Sequence, residues 1–518
     1  MLRRLVATTV AMISGAASAL PPRPIVVGLT GSIGMGKSTA SNWLKRAGIK
    51  VHDADACVHG LYGPNGPAVE PVCAAFPGVM ADDGSIDRGK LSSALREPGA
   101  SIEMLNKIVH PLVAADRDAF IVRAAADGEW LVVLDIPLLL ETMDEATRSR
   151  ILDAVVVVSA PAEVQRARVL ERPGMTAEKF EYILSKQVSD AEKRAAADFI
   201  IETGHESFAP ARAQLARCLE SLLSKHRDSY ISWRDCASAA AAATPSPHIA
   251  GVSVDLDDTL WPTMPPLLAA QEAREDALVE LLPRVYASAA FSPSAFRGAT
   301  KALMTEQPLL AHDFTALQQI ALRALAAEHG DDPENADRVI ERFLHARSDV
   351  FDHFFADAAP SLQALRERLG LRVGSVTNGN CDVRRHAAVS ANFDFAVTAS
   401  DAGAAKPHVV PFLFAAAAAG CRPSQLVHIG DDPTADLIGA LEAGCRAILV
   451  TRPPETEGNA DSDSSTAEAQ AQVKAWASKV EPTTPLPPPD PARWREVASL
   501  AEAVEVIEAW QREEAMLK

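Results

Sequence analysis

The chain reads as an α/β protein of two parallel-sheet modules in tandem, and three observations carry that expectation. Apolar runs at 25–29, 131–136 and 154–158 alternate with helical stretches, as in a parallel sheet with crossover helices. The first run leads into Gly31-x-x-x-x-Gly36-Lys37-Ser38, the spacing of a phosphate-binding loop between a strand and a helix. From 249 onward a second series of apparent strand ends carries its own acidic and basic side chains. Small, proline-punctuated residues at 233–248 read as the linker between the modules.

At 518 residues, two or three domains are expected, and 48% hydrophobic residues suffice for sizeable cores. The net charge of −18 argues against a nucleic-acid partner. The 7 cysteines show no C-x-x-C spacing, which fits free thiols and neither a disulfide framework nor a zinc site. Residues 1–24 read as a targeting segment: Arg3 and Arg4 precede the apolar stretch 5–16 and then Ala17-Ser18-Ala19. No acidic residue occurs before Asp53. An organelle, plastid or mitochondrion, is favoured, with the cytoplasm next and no integral membrane segment after processing.

In the first module, 25–232, Gly31, Gly34 and Gly36 let the backbone curl its N–H groups around phosphate oxygens. The helix that follows adds partial positive charge, and Ala40, Trp43, Leu44 and Ala47 form its apolar face. Lys37 is placed to reach the β- and γ-phosphates of ATP, and the Ser38 hydroxyl to ligate Mg²⁺. Met35 and Thr39 belong to the same ATP-binding stretch. Asp53 and Asp55 follow the next apolar stretch, where carboxylates can orient or deprotonate an acceptor hydroxyl; Asp55 is also placed to cap the helix starting there. His110-Pro111 reads as the end of one helix and the opening of the next. Asp135, at the end of a buried strand, is placed to help hold Mg²⁺. Arg166, Arg168 and Arg172 flank a Pro173-Gly174 break, which suits a helical lid over ATP.

Together these residues resemble the dephospho-CoA kinase family. The resemblance runs through 28–38, Asp53-Ala-Asp55, His110-Pro111, 136–141, 165–168, 172–176, Gln187, 190–194 and 197–201. It implies transfer of the ATP γ-phosphoryl group to the 3′-hydroxyl of dephospho-CoA. It also implies that Asp55 is the base, with His110 at the substrate, that Arg168 and Arg172 serve the lid and the phosphates, and that Thr203 and Gly204 lie near the adenine. Leu140 and Thr203 depart from the family's common Phe and Asn.

The second module, 249–518, opens with Val252 and Val254 leading to Asp255-Leu256-Asp257. One such carboxylate can attack phosphorus and the other protonate the leaving oxygen. Thr377-Asn378-Gly379-Asn380 ends a strand with hydroxyl and N–H groups for a phosphate. Lys406 offers an ammonium, and Asp431 heads an acidic loop suited to Mg²⁺ beside Asp255 and Asp257. These pieces resemble the haloacid-dehalogenase-like superfamily, with a Rossmann-like core and a helical cap inserted at about 264–356. The resemblance implies Asp255 as nucleophile, Asp257 as acid, and Thr377 and Lys406 as phosphate-site residues. Details such as His312-Asp313 in the cap look like phosphatases of the riboflavin pathway. A non-catalytic, regulatory second module is the alternative reading. Residues 455–490 are proline-rich and acidic and read as a disordered insertion. The last helix, about 499–513, is amphipathic through Leu500, Val504, Ile507 and Trp510. The expected partners are small molecules, dephospho-CoA and a phosphomonoester; oligomeric state is not legible.

Overall fold

A computed structural model describes residues 23–97, 101–205, 207–226, 248–288, 292–453, 487–488 and 490–516. Nearly all of the expected targeting segment, linker and disordered insertion lies outside the described residues.

The first module is a parallel sheet in the order β2-β3-β1-β4-β5. Its strands are β1 (Ile25–Thr30), β2 (Lys50–Asp53), β3 (Leu131–Asp135), β4 (Ala154–Ser159) and β5 (Phe199–Glu202). The apolar runs of β1, β3 and β4 are buried throughout, as strands covered on both faces must be. β1 lies between β3 and β4, with Val27 opposite Val133 on one side and Ala154 on the other. That register brings the ends of β1 and β3 to one edge of the sheet, where open α/β sheets bind ligands.

One helical expectation fails. Pro111 does not separate two helices but lies inside a single helix, Ile102–Ala126. Pro111 is exposed, and its missing N–H removes one intrahelical hydrogen bond without ending the helix.

The second module is a parallel sheet in the order β11-β10-β9-β6-β7-β8. Its central strands are β6 (Gly251–Val254), β7 (Arg372–Thr377) and β9 (Leu426–Gly430), joined by β8 (Phe395–Thr398), β10 (Arg446–Val450) and β11 (Trp494–Val497). Between β6 and β7 the helices Met264–Leu281, Pro293–Glu306, Phe314–His329 and Asn335–Arg347 gather around a core of their own. The last helix, Leu500–Met516, buries Leu500, Val504, Ile507 and Trp510 against the second sheet.

The two modules are joined by packing. One apolar cluster runs from Val27, Leu44 and Leu219 of the first into Leu413, Phe414 and Ala416 of the second. Trp43 meets Phe414 with ring centroids 5.2 Å apart, and its indole N–H donates to the Asp401 carbonyl at 3.2 Å. The helix Ala209–Lys225, which follows β5, touches both sides: Arg212 Nη1 donates to the Ser400 carbonyl at 2.8 Å. No helix among the described residues is long and apolar enough to cross a membrane.

Candidate active sites

After β1 the chain turns through Gly31–Gly36 and enters the helix Lys37–Arg46. Gly34 and Gly36 adopt φ of 80° and 88°, left-handed values that strain other residues. At Gly34 space is also closed, since a Cβ would sit 2.4 Å from Val169 Cγ2. Glutamines pin the loop from outside: Gln187 Oε1 accepts from the Ile33 N–H at 3.2 Å, and Gln165 Nε2 donates to the Ile33 carbonyl at 2.7 Å.

A cavity of about 570 Å³ brings together Gly31, Gly34, Met35, Gly36, Lys37, Ser38, Thr39, Asp55, Arg168, Arg172 and Thr203. The Lys37 ammonium is paired with the buried Asp135 carboxylate, which links the end of β3 to the loop. Asp135 in turn is in register with Asp53 on β2. It is Asp53, rather than Asp55, that caps the helix Ala54–Leu61, accepting from the Ala56 N–H at 3.0 Å. Asp55 is thereby left exposed at the cavity wall. Arg168 donates to the Thr203 hydroxyl at 3.0 Å and to its carbonyl at 2.5 Å; that hydroxyl donates to the Met35 carbonyl at 2.8 Å. Thr203 therefore ties the arginine to the phosphate loop.

Two assigned residues fall elsewhere. His110 is exposed on its helix and does not line this cavity. Gly204 lines a neighbouring cavity of about 440 Å³ with Pro161, Asp190 and Arg194, and Met35 lines both. Pro137, Gln187 and Phe208 also line the first cavity. Gln187 belongs to the motif set quoted above, whereas Phe208 lies outside every motif and offered no signal.

The second site lies where β6, β7 and β9 end. Lys406 Nζ donates to Asp255 Oδ1 and Asp436 Oδ1, both at 2.6 Å, and to the Val376 carbonyl at 2.8 Å. Burial works against the lysine's charge, but the two carboxylates outweigh it and hold its pKa above the ordinary value. Burial raises the Asp255 carboxyl well above its usual range, with Lys406 pulling the other way. At Asp436 burial is outweighed by Lys406 and His428, and the carboxyl stays below its ordinary range. Asn378 clamps the Lys406 backbone, accepting its N–H at 2.7 Å and donating to its carbonyl at 2.9 Å. The Thr377 hydroxyl accepts from the Gly379 N–H at 2.9 Å and orders the loop.

The structure gathers the carboxylates of only part of the expected metal set. Oxygens of Asp255, Asp431 and Asp436 lie within 4.8 Å of one another, whereas the Asp257 carboxylate stands outside this cluster. A buried cation claims it: Arg347 Nη2, at the end of the helix Asn335–Arg347, lies 2.6 Å from both oxygens. The Trp261 indole N–H adds a bond at 3.1 Å. Asp436, which the sequence placed only within an acidic loop, is held by Lys406, His428 and the Asp432 N–H. Three oxygen donors suit a hard divalent cation.

The family model of dephospho-CoA kinase matches residues 25–207, and that of haloacid dehalogenase-like hydrolase matches 249–444. The dephospho-CoA kinase of Mesorhizobium japonicum is 53% identical over 198 residues, 38% of this chain and 96% of that protein. The Rhizobium meliloti enzyme is 52% identical over 198 residues, 38% of this chain and 98% of its own length. Among solved structures, a 2-haloacid dehalogenase from Pseudomonas syringae is 31% identical, with 51% of this chain and 99% of that one covered at a TM-score of 0.40. The chain belongs, through its first module, to the dephospho-CoA kinase family, and that module is fused to a haloacid dehalogenase-like hydrolase module.

Proposed function

We propose that the first module transfers the ATP γ-phosphoryl group to the 3′-hydroxyl of dephospho-CoA, and that the second hydrolyses a phosphomonoester. The observation that supports the kinase reading most is the shared cavity: Lys37 and Ser38 on the loop, Asp55 on one wall, Arg168 and Arg172 on another. The loop and the first turn of the helix hold the phosphates, and Lys37 moves its charge toward the transferring group. Asp55 accepts the proton of the attacking hydroxyl. Arg172 draws charge from the phosphoryl oxygens. Ser38 and Asp135 are the residues that would hold Mg²⁺ with the nucleotide.

For the hydrolase, the supporting observation is the buried Lys406 between Asp255 and Asp436. The Asp255 carboxylate attacks phosphorus, the P–O bond to the alcohol breaks, and Asp257 gives the leaving oxygen its proton. Water then cleaves the aspartyl-phosphate, with Asp257 taking a proton back. Lys406 offsets charge on the phosphoryl oxygens, and Thr377 and its loop hold them. Asp255, Asp431 and Asp436 fit a divalent cation, which would supply further charge neutralisation at the phosphoryl group. The phosphate-bearing substrate we favour is one of the flavin pathway, on the likeness of the cap residues His312 and Asp313.

The purified full-length chain is expected to form CoA from dephospho-CoA with stoichiometric ADP. It is also expected to release phosphate from a phosphomonoester panel with Mg²⁺ and to lose that release on chelation. No turnover of dephospho-CoA contradicts the kinase reading. A panel without any hydrolysis favours a regulatory second module.

A further inference from the structure

We propose that the hydrolase module's substrate cleft is composite: the kinase module supplies its outer wall, and the cleft takes a phosphomonoester whose alcohol carries a flat, hydrogen-bonding ring system. This rests on the hydrolase reading above. A cleft of about 360 Å³ lies where the cap, the hydrolase core and the kinase module meet. Its core side includes Asn378, Gly379 and Asn380, the loop that follows Thr377. Gly379 lies against the acid: a Cβ there would stand 3.0 Å from Asp257 Oδ2. The cleft therefore adjoins the end of the site where the leaving alcohol must sit.

The opposite wall is Ser207, Phe208 and Arg212, from the kinase module. That wall is fixed. Arg212 Nη1 holds the Ser400 carbonyl of the core at 2.8 Å, and Arg217 Nη2 on the same helix holds the Pro308 carbonyl of the cap at 2.9 Å. The approach is so close that a Cβ on Gly403 would lie 2.5 Å from the Arg212 carbonyl carbon and oxygen. A single helix thus bridges the core and the cap of its neighbour, and the cleft is closed on that side only while the kinase module is in place.

The lining selects the ligand. Phe208 and Phe314 offer apolar ring faces, and Gln319 and Asn380 offer amides for the edge of a heterocycle, while the charged lining is paired within the protein, Arg384 with Asp382 and Asp401 and Arg385 with Glu341. His312, on the cap wall, has a buried Nε2 with no hydrogen-bond partner, a group that a ligand's donor or acceptor would satisfy. Phe208 lines the phosphate-loop cavity as well, so the two sites share a wall.

The test uses the full-length chain with riboflavin 5′-phosphate as the ring-bearing ester and acetyl phosphate, an acyl phosphate without a ring, as the compact reference. Ser207 is exposed and lines the cleft without lining the phosphate-loop cavity. Ser207→Trp fills the cleft from the kinase side, and Gln319→Trp fills it from the cap. The ratio of kcat/KM for riboflavin 5′-phosphate to that for acetyl phosphate is expected to fall at least about tenfold in Ser207→Trp, mostly through KM. Gln319→Trp should give the same separation. An unchanged ratio in a folded Ser207→Trp protein overturns the composite wall, whatever Gln319→Trp does. If Ser207→Trp fails to fold, Ser207→Phe takes its place under the same criterion. Hydrolysis of acetyl phosphate alone by the unaltered chain overturns the ring-bearing ligand. Hydrolysis of neither compound overturns this proposal, and the absence of hydrolysis across the phosphomonoester panel as well overturns the hydrolase reading itself.

Discussion

At the scale of single residues, burial decides which charges the sites contain. Lys406 keeps its ammonium in the interior because two carboxylates face it at 2.6 Å. His312 has the opposite fate. Burial lowers its pKa to about 4; Asp313 works against that shift, and Arg212 and Arg217 add to it. A histidine held neutral in the folded chain but ordinary in the unfolded one favours unfolding as protons are added. Its contribution is therefore intact above about pH 6.5 and is lost as the pH falls toward about 4, by at most about 3 kcal/mol. Buried His408 and His428 shift in the same direction, so the comparison must be by difference. Denaturant midpoints of His312→Gln should fall less steeply than those of the unaltered chain between pH 7 and pH 5; parallel curves contradict the assignment. Several candidate residues were legible as residue types, Lys37, Asp55, Asp255 and Lys406 among them. The partners were not. Nothing in the spacing announces that Arg347, at the end of the last cap helix, takes the Asp257 carboxylate away from the acidic cluster.

At the scale of elements, the segments around the phosphate loop are held by pairs that join distant parts of the chain. Lys193, fully buried on the helix Asp190–Ala195, meets Glu141 at 2.9 Å, and Glu141 also accepts from the Val188 N–H. The short helix after β3 is thereby tied to the segment that bears Gln187, the residue that pins the loop at Ile33. Lys193→Met leaves the part-buried Glu141 carboxylate without its cation and with only the Val188 N–H, at a cost of about 1–3 kcal/mol. A thermal melt should show a clear loss of stability, and Lys193→Met with Glu141→Leu should recover much of it. A single variant as stable as the parent contradicts the account. Elements were read well where periodicity and breakers agree, as in β1, β3, β4 and the final helix. They were misread where one residue was given too much weight. Pro111 looked like a boundary, but an exposed proline interrupts a long helix without ending it. Asp55 looked like a cap because Asp53, two residues earlier, has the same chemistry.

At the scale of the whole molecule, the two modules are less separate than the 233–248 linker implies. Ala40, Trp43, Leu44 and Ala47 read as one apolar face, and all four are buried. Part of that burial is against the neighbour, as Trp43 on Phe414 shows. An apolar residue on a helix announces that it will be covered, not by which module, so the shared core and the cleft it frames were invisible in the sequence. Chemistry remains divided: the phosphate-loop cavity and the Asp255 cluster use different side chains. The most direct measurement of the central claim is CoA formation and phosphomonoester hydrolysis assayed side by side on the full-length chain and two variants. Lys37→Ala is expected to lower CoA formation by at least about a thousandfold and leave hydrolysis within a few-fold of the parent. Asp255→Asn is expected to abolish hydrolysis and leave CoA formation within a few-fold. Equal loss of both activities in either variant, or hydrolysis that survives Asp255→Asn, would contradict the account.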